Sequence, residues 1–143
     1  MEKAYQALYD DKIFMCGAAD VEQVVKNEQC EVIVDLRGEA EQCAYPEANV
    51  EWIKIALGDD AGENQEALFK QAADEVVKAY RDGKKVAFHC NGGRGRTGAV
   101  AVAVLIELGV SKTIEEAEEL AKSIRPVLNV KPAQKEALKK MYP

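Results

Sequence analysis

The chain has 143 residues, enough for one domain with a sizeable core but not for two independent ones. A hydrophobic fraction of 48% and a charged fraction of 31% are typical of a folded globular protein rather than a disordered one. The net charge of −6, from 25 acidic and 19 basic side chains, argues against binding to nucleic acid or to an anionic membrane, and we expect neither as a partner.

The histidine and cysteine content limits the kinds of site that the chain can build. A single histidine, His89, excludes a multi-histidine metal site, and any nucleophile that needs a histidine must use this one. The four cysteines contain no C-x-x-C pair, which argues against zinc-ribbon and thioredoxin-like sites. Because so apolar a domain does not need disulfides, and because residues 1–11 show no apolar signal-peptide core, we predict a cytoplasmic protein with reduced thiols.

Strands and helices alternate along the predicted chain. Four short apolar runs predict strands at residues 13–16, 32–36, 52–56 and 86–90. Helical periodicity follows at residues 64–81, after the capping pair Thr113 and Glu116, and from Pro132 onward. The run 99–108 is ambiguous, because alanine and valine alternate there as in a strand, but both alternating positions are apolar, so we interpret it as a helix buried on all sides. This order predicts a single α/β domain with a central, mostly parallel sheet of about four to five strands and helices on both faces. Ligands bind such sheets at the carboxyl ends of the strands.

The segment between the last predicted strand and the all-apolar helix is rich in glycine. Four of the ten glycines lie within seven residues, from Gly92 to Gly98. Glycine allows successive N–H groups to converge on one point, and the following helix adds its own free N–H groups and its positive dipole end. The segment therefore predicts a cradle for a tetrahedral oxyanion such as phosphate. It is not the nucleotide P-loop, because no Gly-Lys-Ser/Thr follows the glycines.

A cysteine and an arginine give this cradle its chemistry. Cys90 stands at the start of the loop, where the amides, the helix end and Arg96 all favour a thiolate. The planar guanidinium of Arg96 can bind two phosphate oxygens at once. A nucleophile at the base of an anion cradle is suited to covalent phosphoryl transfer.

The motif His89-Cys90-x5-Arg96-Thr97 resembles the signature of the cysteine-based protein tyrosine phosphatases, and the Gly-Arg-Gly-Arg-Thr-Gly stretch at 93–98 looks like the dual-specificity branch. The resemblance implies a protein tyrosine phosphatase-like fold, with residues 1–143 forming one catalytic domain. It implies that Cys90 forms a cysteinyl-phosphate, that Thr97 assists the sulfur as leaving group, and that no metal or cofactor is needed. It also implies that the phosphoryl oxygens are held by the backbone or side chains of Asn91, Gly92, Gly93, Arg94, Gly95 and Arg96.

The resemblance further implies a general acid on the loop before the long helix, about thirty residues ahead of the cysteine. Asp59 and Asp60 both fit, and Asp59 is preferred because it stands nearer to the strand end.

Several residues near the motif have plainer interpretations. His89 should point to the sheet face opposite Cys90, because side chains alternate along a strand, and it is expected to support the loop rather than to act as a base. Gln134 is either a surface helix residue or a water-positioning residue, and Arg94 is either a solvated charge or a cation at the pocket rim. A disulfide between Cys90 and either Cys16 or Cys43 is conceivable as redox protection.

Three functions remain open from the sequence. The favoured one is a monomeric dual-specificity phosphatase that acts on phosphotyrosine, phosphoserine or phosphothreonine in proteins, or on small phosphomonoesters. The second keeps this chemistry but acts on phosphoinositides or other non-protein phosphates, for which Arg94 is the motivation. The third, which is less favoured because the motif is complete, is a phosphate-binding module that does not turn over.

Overall fold

The computed structural model describes residues 5–57 and 65–142. The described strands are β1 (Gln6–Tyr9), β2 (Ile13–Gly17), β3 (Val32–Arg37), β4 (Glu51–Leu57) and β5 (Val86–Cys90). The helices are α1 (Val21–Glu28), α2 (Gln65–Arg81), α3 (Gly95–Glu107), α4 (Ile114–Ile124) and α5 (Pro132–Met141). The strands form one sheet in the order β1-β2-β5-β3-β4, in which only β1 is antiparallel to its neighbour. The predicted α/β class and the mostly parallel sheet are therefore confirmed.

The prediction missed two elements, β1 and α1, for the same local reason. The turn from β1 to β2 has Asp10 and Asp11 at positive φ, 54° and 50°, where Asn-Gly or Asp-Gly is the usual signal. Helix α1 ends at Gln29, which has a left-handed backbone (φ 59°) where glycine would ordinarily mark the end. Neither element is bounded by the residue types that make such turns visible in a sequence.

Helix α3 accounts for the ambiguous run of alternating alanine and valine. Every residue from Gly95 to Leu105 is buried, because α3 packs among α2, α4, α5 and the sheet. A helix that is enclosed on all sides has no polar face, so its sequence lacks the usual helical periodicity. Thr113 caps α4 as predicted, by accepting a hydrogen bond from the backbone N–H of Glu116 (3.1 Å).

Alternation along β2 and β5 divides the buried side chains between the two faces of the sheet. Cys90 belongs to the larger core on the α3 side, whereas Cys16 belongs to the smaller core on the α1 side. All four cysteines are free thiols, and a Cys16–Cys90 disulfide is excluded because the two side chains lie on opposite faces. No helix within the described residues is long and apolar enough to cross a membrane.

Candidate active site

Residues 90–96, from the last residue of β5 to the second residue of α3, lie at the carboxyl edge of the sheet and are called the β5–α3 loop below. A cavity of about 330 Å³ opens over it. Its lining combines loop residues with residues from the β3–β4 and α4–α5 connections: Glu39, Cys90, Asn91, Gly92, Arg94, Gly95, Arg96, Asn129 and Lys131. The structure thus brings most of the predicted phosphate-binding residues to one cavity at the start of α3.

Two outer donors fix the first half of the loop. His89 Nδ1 donates to the carbonyl of Cys90 (3.0 Å), and the backbone N–H of Ala18 donates to the carbonyl of Asn91 (3.0 Å). In a trans peptide the N–H points opposite to the C=O. These bonds therefore turn the N–H groups of Asn91 and Gly92 away from His89 and Ala18, toward the cavity side of the loop.

Arg125 fixes the second half of the loop by holding another carbonyl on the outer side. Its Nε donates to the carbonyl of Gly93 (2.9 Å), and its Nη1 donates to Gln6 (2.6 Å). The bond to Gly93 turns the following N–H, that of Arg94, away from Arg125. Gly93 has a positive φ of 69°, and a Cβ there would stand 2.7 Å from the backbone of Cys16. Glycine is therefore required at position 93 by both conformation and space.

Cys90 and Thr97 form a buried hydrogen-bonded pair. The backbone N–H of Cys90 donates to Thr97 Oγ1 (3.0 Å), and this hydroxyl donates to Cys90 Sγ (3.1 Å). Because its oxygen accepts from the backbone, the hydroxyl proton is directed at the sulfur. Such a donor stabilises sulfur when it carries negative charge.

Arg96 makes a contact that the sequence did not reveal. Its side chain is 4% exposed, and the guanidinium binds Glu39 through two nitrogens, Nη1 to Oε1 (2.8 Å) and Nη2 to Oε2 (3.1 Å). Nη1 also donates to the carbonyl of Leu57 (3.1 Å). The bond to Arg96 lowers the pKa of Glu39, so this carboxylate is ionised at neutral pH. The only sequence signal was the position of Glu39 just after β3, at the ligand-binding edge.

A buried charged network lies beneath the loop on the α1 side. Asp35 is fully buried and accepts from Arg37 Nε (2.9 Å), Arg37 Nη2 (2.8 Å) and Trp52 Nε1 (3.0 Å). Burial alone would raise the pKa of Asp35, but the bond from Arg37 and the nearby His89 outweigh it and lower that pKa. His89 Nε2 stands 3.8 Å from Asp35, and burial lowers the pKa of His89. The imidazole is therefore neutral at neutral pH, with its proton on Nδ1 toward Cys90.

Gln134 is 1% exposed, so its interpretation as a surface helix residue is wrong. Its Oε1 accepts from the backbone N–H of Lys131 (2.9 Å) at the start of α5. Its Nε2 lies close to Gly95, because a Cβ added to that glycine would stand only 3.3 Å from this nitrogen. The side-chain amide therefore packs directly behind the start of α3, next to the cavity.

Asp59 and Asp60 lie outside the described residues, so the structure gives no position for either. The segment that carries them begins after Leu57, the last residue of β4, whose carbonyl binds Arg96. Arg94 is exposed and lines the mouth of the cavity together with Lys131. A thiol at the floor, convergent N–H groups and a guanidinium are suited to holding and attacking a tetrahedral oxyanion.

Comparison with known proteins identifies the family. The family model described as "Dual specificity phosphatase, catalytic domain" matches residues 13–142. No curated protein sequence matches the chain.

Solved structures share the fold at low sequence identity. Human DUSP28 superimposes with a TM-score of 0.82 at 22% identity, over 99% of this chain and 95% of that one. A mouse putative dual specificity phosphatase complexed with zinc tungstate superimposes with a TM-score of 0.84 at 21% identity, over 99% of this chain and 88% of that one. PTPMT1 in complex with PI(5)P superimposes with a TM-score of 0.80 at 21% identity, over 97% of this chain and 94% of that one. The protein tyrosine phosphatase-like fold that the motif implies is confirmed.

Proposed function

Because the chain belongs to the dual specificity phosphatase family, we propose that it hydrolyses phosphomonoesters on tyrosine, serine or threonine side chains of proteins through a cysteinyl-phosphate. The observation that carries this proposal is the arrangement of Cys90, Arg96 and Thr97 around the start of α3, with the loop carbonyls held on the outside. No metal or cofactor enters the proposed reaction.

In the first step, the Cys90 thiolate attacks phosphorus. The sulfur–phosphorus bond forms as the bond from phosphorus to the ester oxygen breaks, and the departing oxygen takes a proton from Asp59 or Asp60. The inward N–H groups of the loop and the guanidinium of Arg96 stabilise the charge that develops on the three equatorial oxygens. His89 supports this step by donating to the Cys90 carbonyl and so fixing it.

In the second step, water attacks phosphorus and releases inorganic phosphate. The same aspartate accepts the proton from the water, and the sulfur leaves as a thiolate that the Thr97 hydroxyl stabilises at 3.1 Å. We assign to Gln134 the positioning of this water, because its amide packs against the start of α3 beside the cavity.

A second candidate function uses the same chemistry on phosphoinositides or other non-protein phosphates. Arg94 and Lys131 both line the cavity, and Glu39, the acidic residue in the described lining, is already paired with Arg96. This excess of positive charge at the mouth suits a substrate with a second anionic group. PTPMT1, which shares the fold, has been solved in complex with PI(5)P. The net charge of −6 weighs against work at an anionic membrane surface.

The proposal is tested by comparing substrates in the presence of a chelator. We expect turnover of an aryl phosphate and of phosphopeptides, inhibition by vanadate, and little turnover of phosphoinositides. Arg94→Ala should lower kcat/KM for a singly phosphorylated peptide by less than about threefold, because one exposed charge contributes little. Arg81→Ala, which removes an exposed charge at the end of α2, is the matched control.

Other outcomes would support the alternatives. Preferential turnover of phosphoinositides, strongly reduced in Arg94→Ala but not in Arg81→Ala, would favour the second function. Binding of phosphate without turnover of any ester would favour a phosphate-binding module.

A further inference from the structure

A second cavity, of about 750 Å³, lies beside the candidate active site. It is lined by Arg37, the last residue of β3, and by residues of the β3–β4 connection, 38–50, and it is called the β3–β4 groove below. Glu39 lines both this groove and the catalytic cavity, so the two spaces adjoin. A ligand that is held in the catalytic cavity can therefore extend into the groove.

Side chains from β3 and β4 hold the wall of the groove in shape. Lys54 Nζ donates to the carbonyl of Ala40 (2.6 Å), and Arg37 Nη2 donates to the carbonyl of Gln42 (3.2 Å). Arg37 is itself fixed by two side-chain bonds to the buried Asp35. Because a preformed surface loses little conformational freedom when a ligand binds, a groove that is held in this way is suited to recognition.

The charged residues that line the groove differ in whether their charge is balanced. The guanidinium of Arg37 is paired with Asp35 (2.8 Å), and the carboxylate of Glu39 is paired with Arg96 (2.8 Å). Glu41 lines the groove, is exposed, and forms no ion pair within the described part of the chain. The groove therefore repels a second phosphate group on a substrate and attracts a lysine or arginine side chain.

The size and place of the groove suit part of a protein substrate. The catalytic cavity of about 330 Å³ has room for a phosphorylated side chain, whereas the chain that carries this side chain must lie outside it. An extended peptide advances about 3.5 Å per residue, so positions one or two away from the phosphorylated residue reach the adjoining groove. A small phosphomonoester ends within the catalytic cavity, and a phosphoinositide would bring further phosphate groups toward Glu41.

We propose that the β3–β4 groove binds the substrate chain next to the phosphorylated residue, and that Glu41 favours protein substrates with a lysine or arginine at a neighbouring position. This inference rests on the proposed phosphatase function and narrows its substrate class to phosphoproteins with basic flanking residues. Contacts in the groove supply binding energy that a small ester cannot obtain, so the groove raises kcat/KM for peptides alone.

The role of charge is tested with Glu41→Lys. Three phosphotyrosine peptides carry lysine, alanine or glutamate at the two positions on each side of the phosphorylated residue. We expect the parent enzyme to favour the lysine peptide over the glutamate peptide by about fivefold in kcat/KM, and Glu41→Lys to reverse this order. Glu119→Lys, which makes the same charge change at an exposed position of α4, is the matched control and should keep the order of the parent.

The role of the space is tested with Gln42→Trp, which places a large side chain in the groove. Gln42 is exposed, and its bond from Arg37 goes to the backbone carbonyl, so the wall of the groove is kept. We expect kcat/KM to fall by about tenfold for all three peptides and by less than about twofold for a small aryl phosphate. Gln23→Trp, at an exposed position of α1, is the control for bulk and should resemble the parent.

Thermal unfolding shows that each variant is folded. An unchanged order of peptides in Glu41→Lys would overturn the inference, as would equal effects of Gln42→Trp on the peptides and on the aryl phosphate. Absence of turnover of every ester by the parent enzyme would instead contradict the proposed function. Binding of the same peptides, measured by fluorescence anisotropy, would then still test the groove, with the same order of affinities expected.

Discussion

Gly93 shows how a single residue sets the shape of the candidate site. Its carbonyl accepts from Arg125, which turns the next N–H inward, and its φ of 69° permits the reversal of the chain that this requires. The sequence predicted that glycines build the cradle. It could not indicate which glycine is essential, because that depends on Arg125 and on the backbone of Cys16, both distant in sequence.

We expect Gly93→Ala to lower both stability and activity. A left-handed backbone costs an L-residue about 1–2 kcal/mol, and the new methyl group would stand 2.7 Å from Cys16 backbone atoms that cannot easily move. Thermal unfolding should therefore occur several degrees lower, and kcat/KM should fall by at least about tenfold because the Arg94 N–H is displaced. Gly92→Ala is the control for stability, since a Cβ there meets nothing within 4 Å. Equal unfolding temperatures for the two variants would contradict this interpretation.

At the scale of elements, the strands that carry the site were the most predictable part of the chain. β3 and β5 are central strands buried on both faces, so their apolar runs are continuous and their ends are marked by polar or glycine-rich segments. β1 was missed because the turn after it lacks the usual glycine signal and because it is also an edge strand of mixed polarity. The pairing of Glu39 with Arg96 joins positions 57 residues apart, and no local pattern encodes such a contact.

The connection from β4 to α2 is predicted to supply the general acid, and the two aspartates in it can be separated by pH profiles. Asp59→Asn should lower kcat/KM by about a hundredfold, in the range that general acid catalysis contributes. An acid must be protonated to act, so the parent rate should fall as pH rises through the pKa of the acid, and this basic limb should vanish in Asp59→Asn. Asp60→Asn should retain it.

A substrate with a good leaving group provides the internal check. Its leaving oxygen needs little protonation, so its kcat/KM should fall much less in Asp59→Asn. If Asp60→Asn rather than Asp59→Asn removes the basic limb, the assignment between the two is reversed. If both variants keep it, the acid is a residue outside this pair.

At the scale of the whole molecule, an acidic protein concentrates positive charge at one edge of its sheet. The net charge is −6, yet Arg94, Arg96 and Lys131 line one cavity at the positive end of α3. The family and fold were predictable from the motif because its residues are contiguous in sequence. The residues that hold the motif in shape, Glu39 and Arg125, come from two other segments and could be recognised only from their contacts.

The central claim is that Cys90 carries the phosphoryl group during turnover. Its most direct test is rapid acid quench of the enzyme with an aryl phosphate, followed by peptide mass spectrometry, in the parent and in Cys90→Ser. We predict one phosphoryl group on the peptide that contains Cys90 in the parent, and loss of both this adduct and turnover in Cys90→Ser. A phosphoryl group on any other residue, or substantial turnover by Cys90→Ser, would contradict the account.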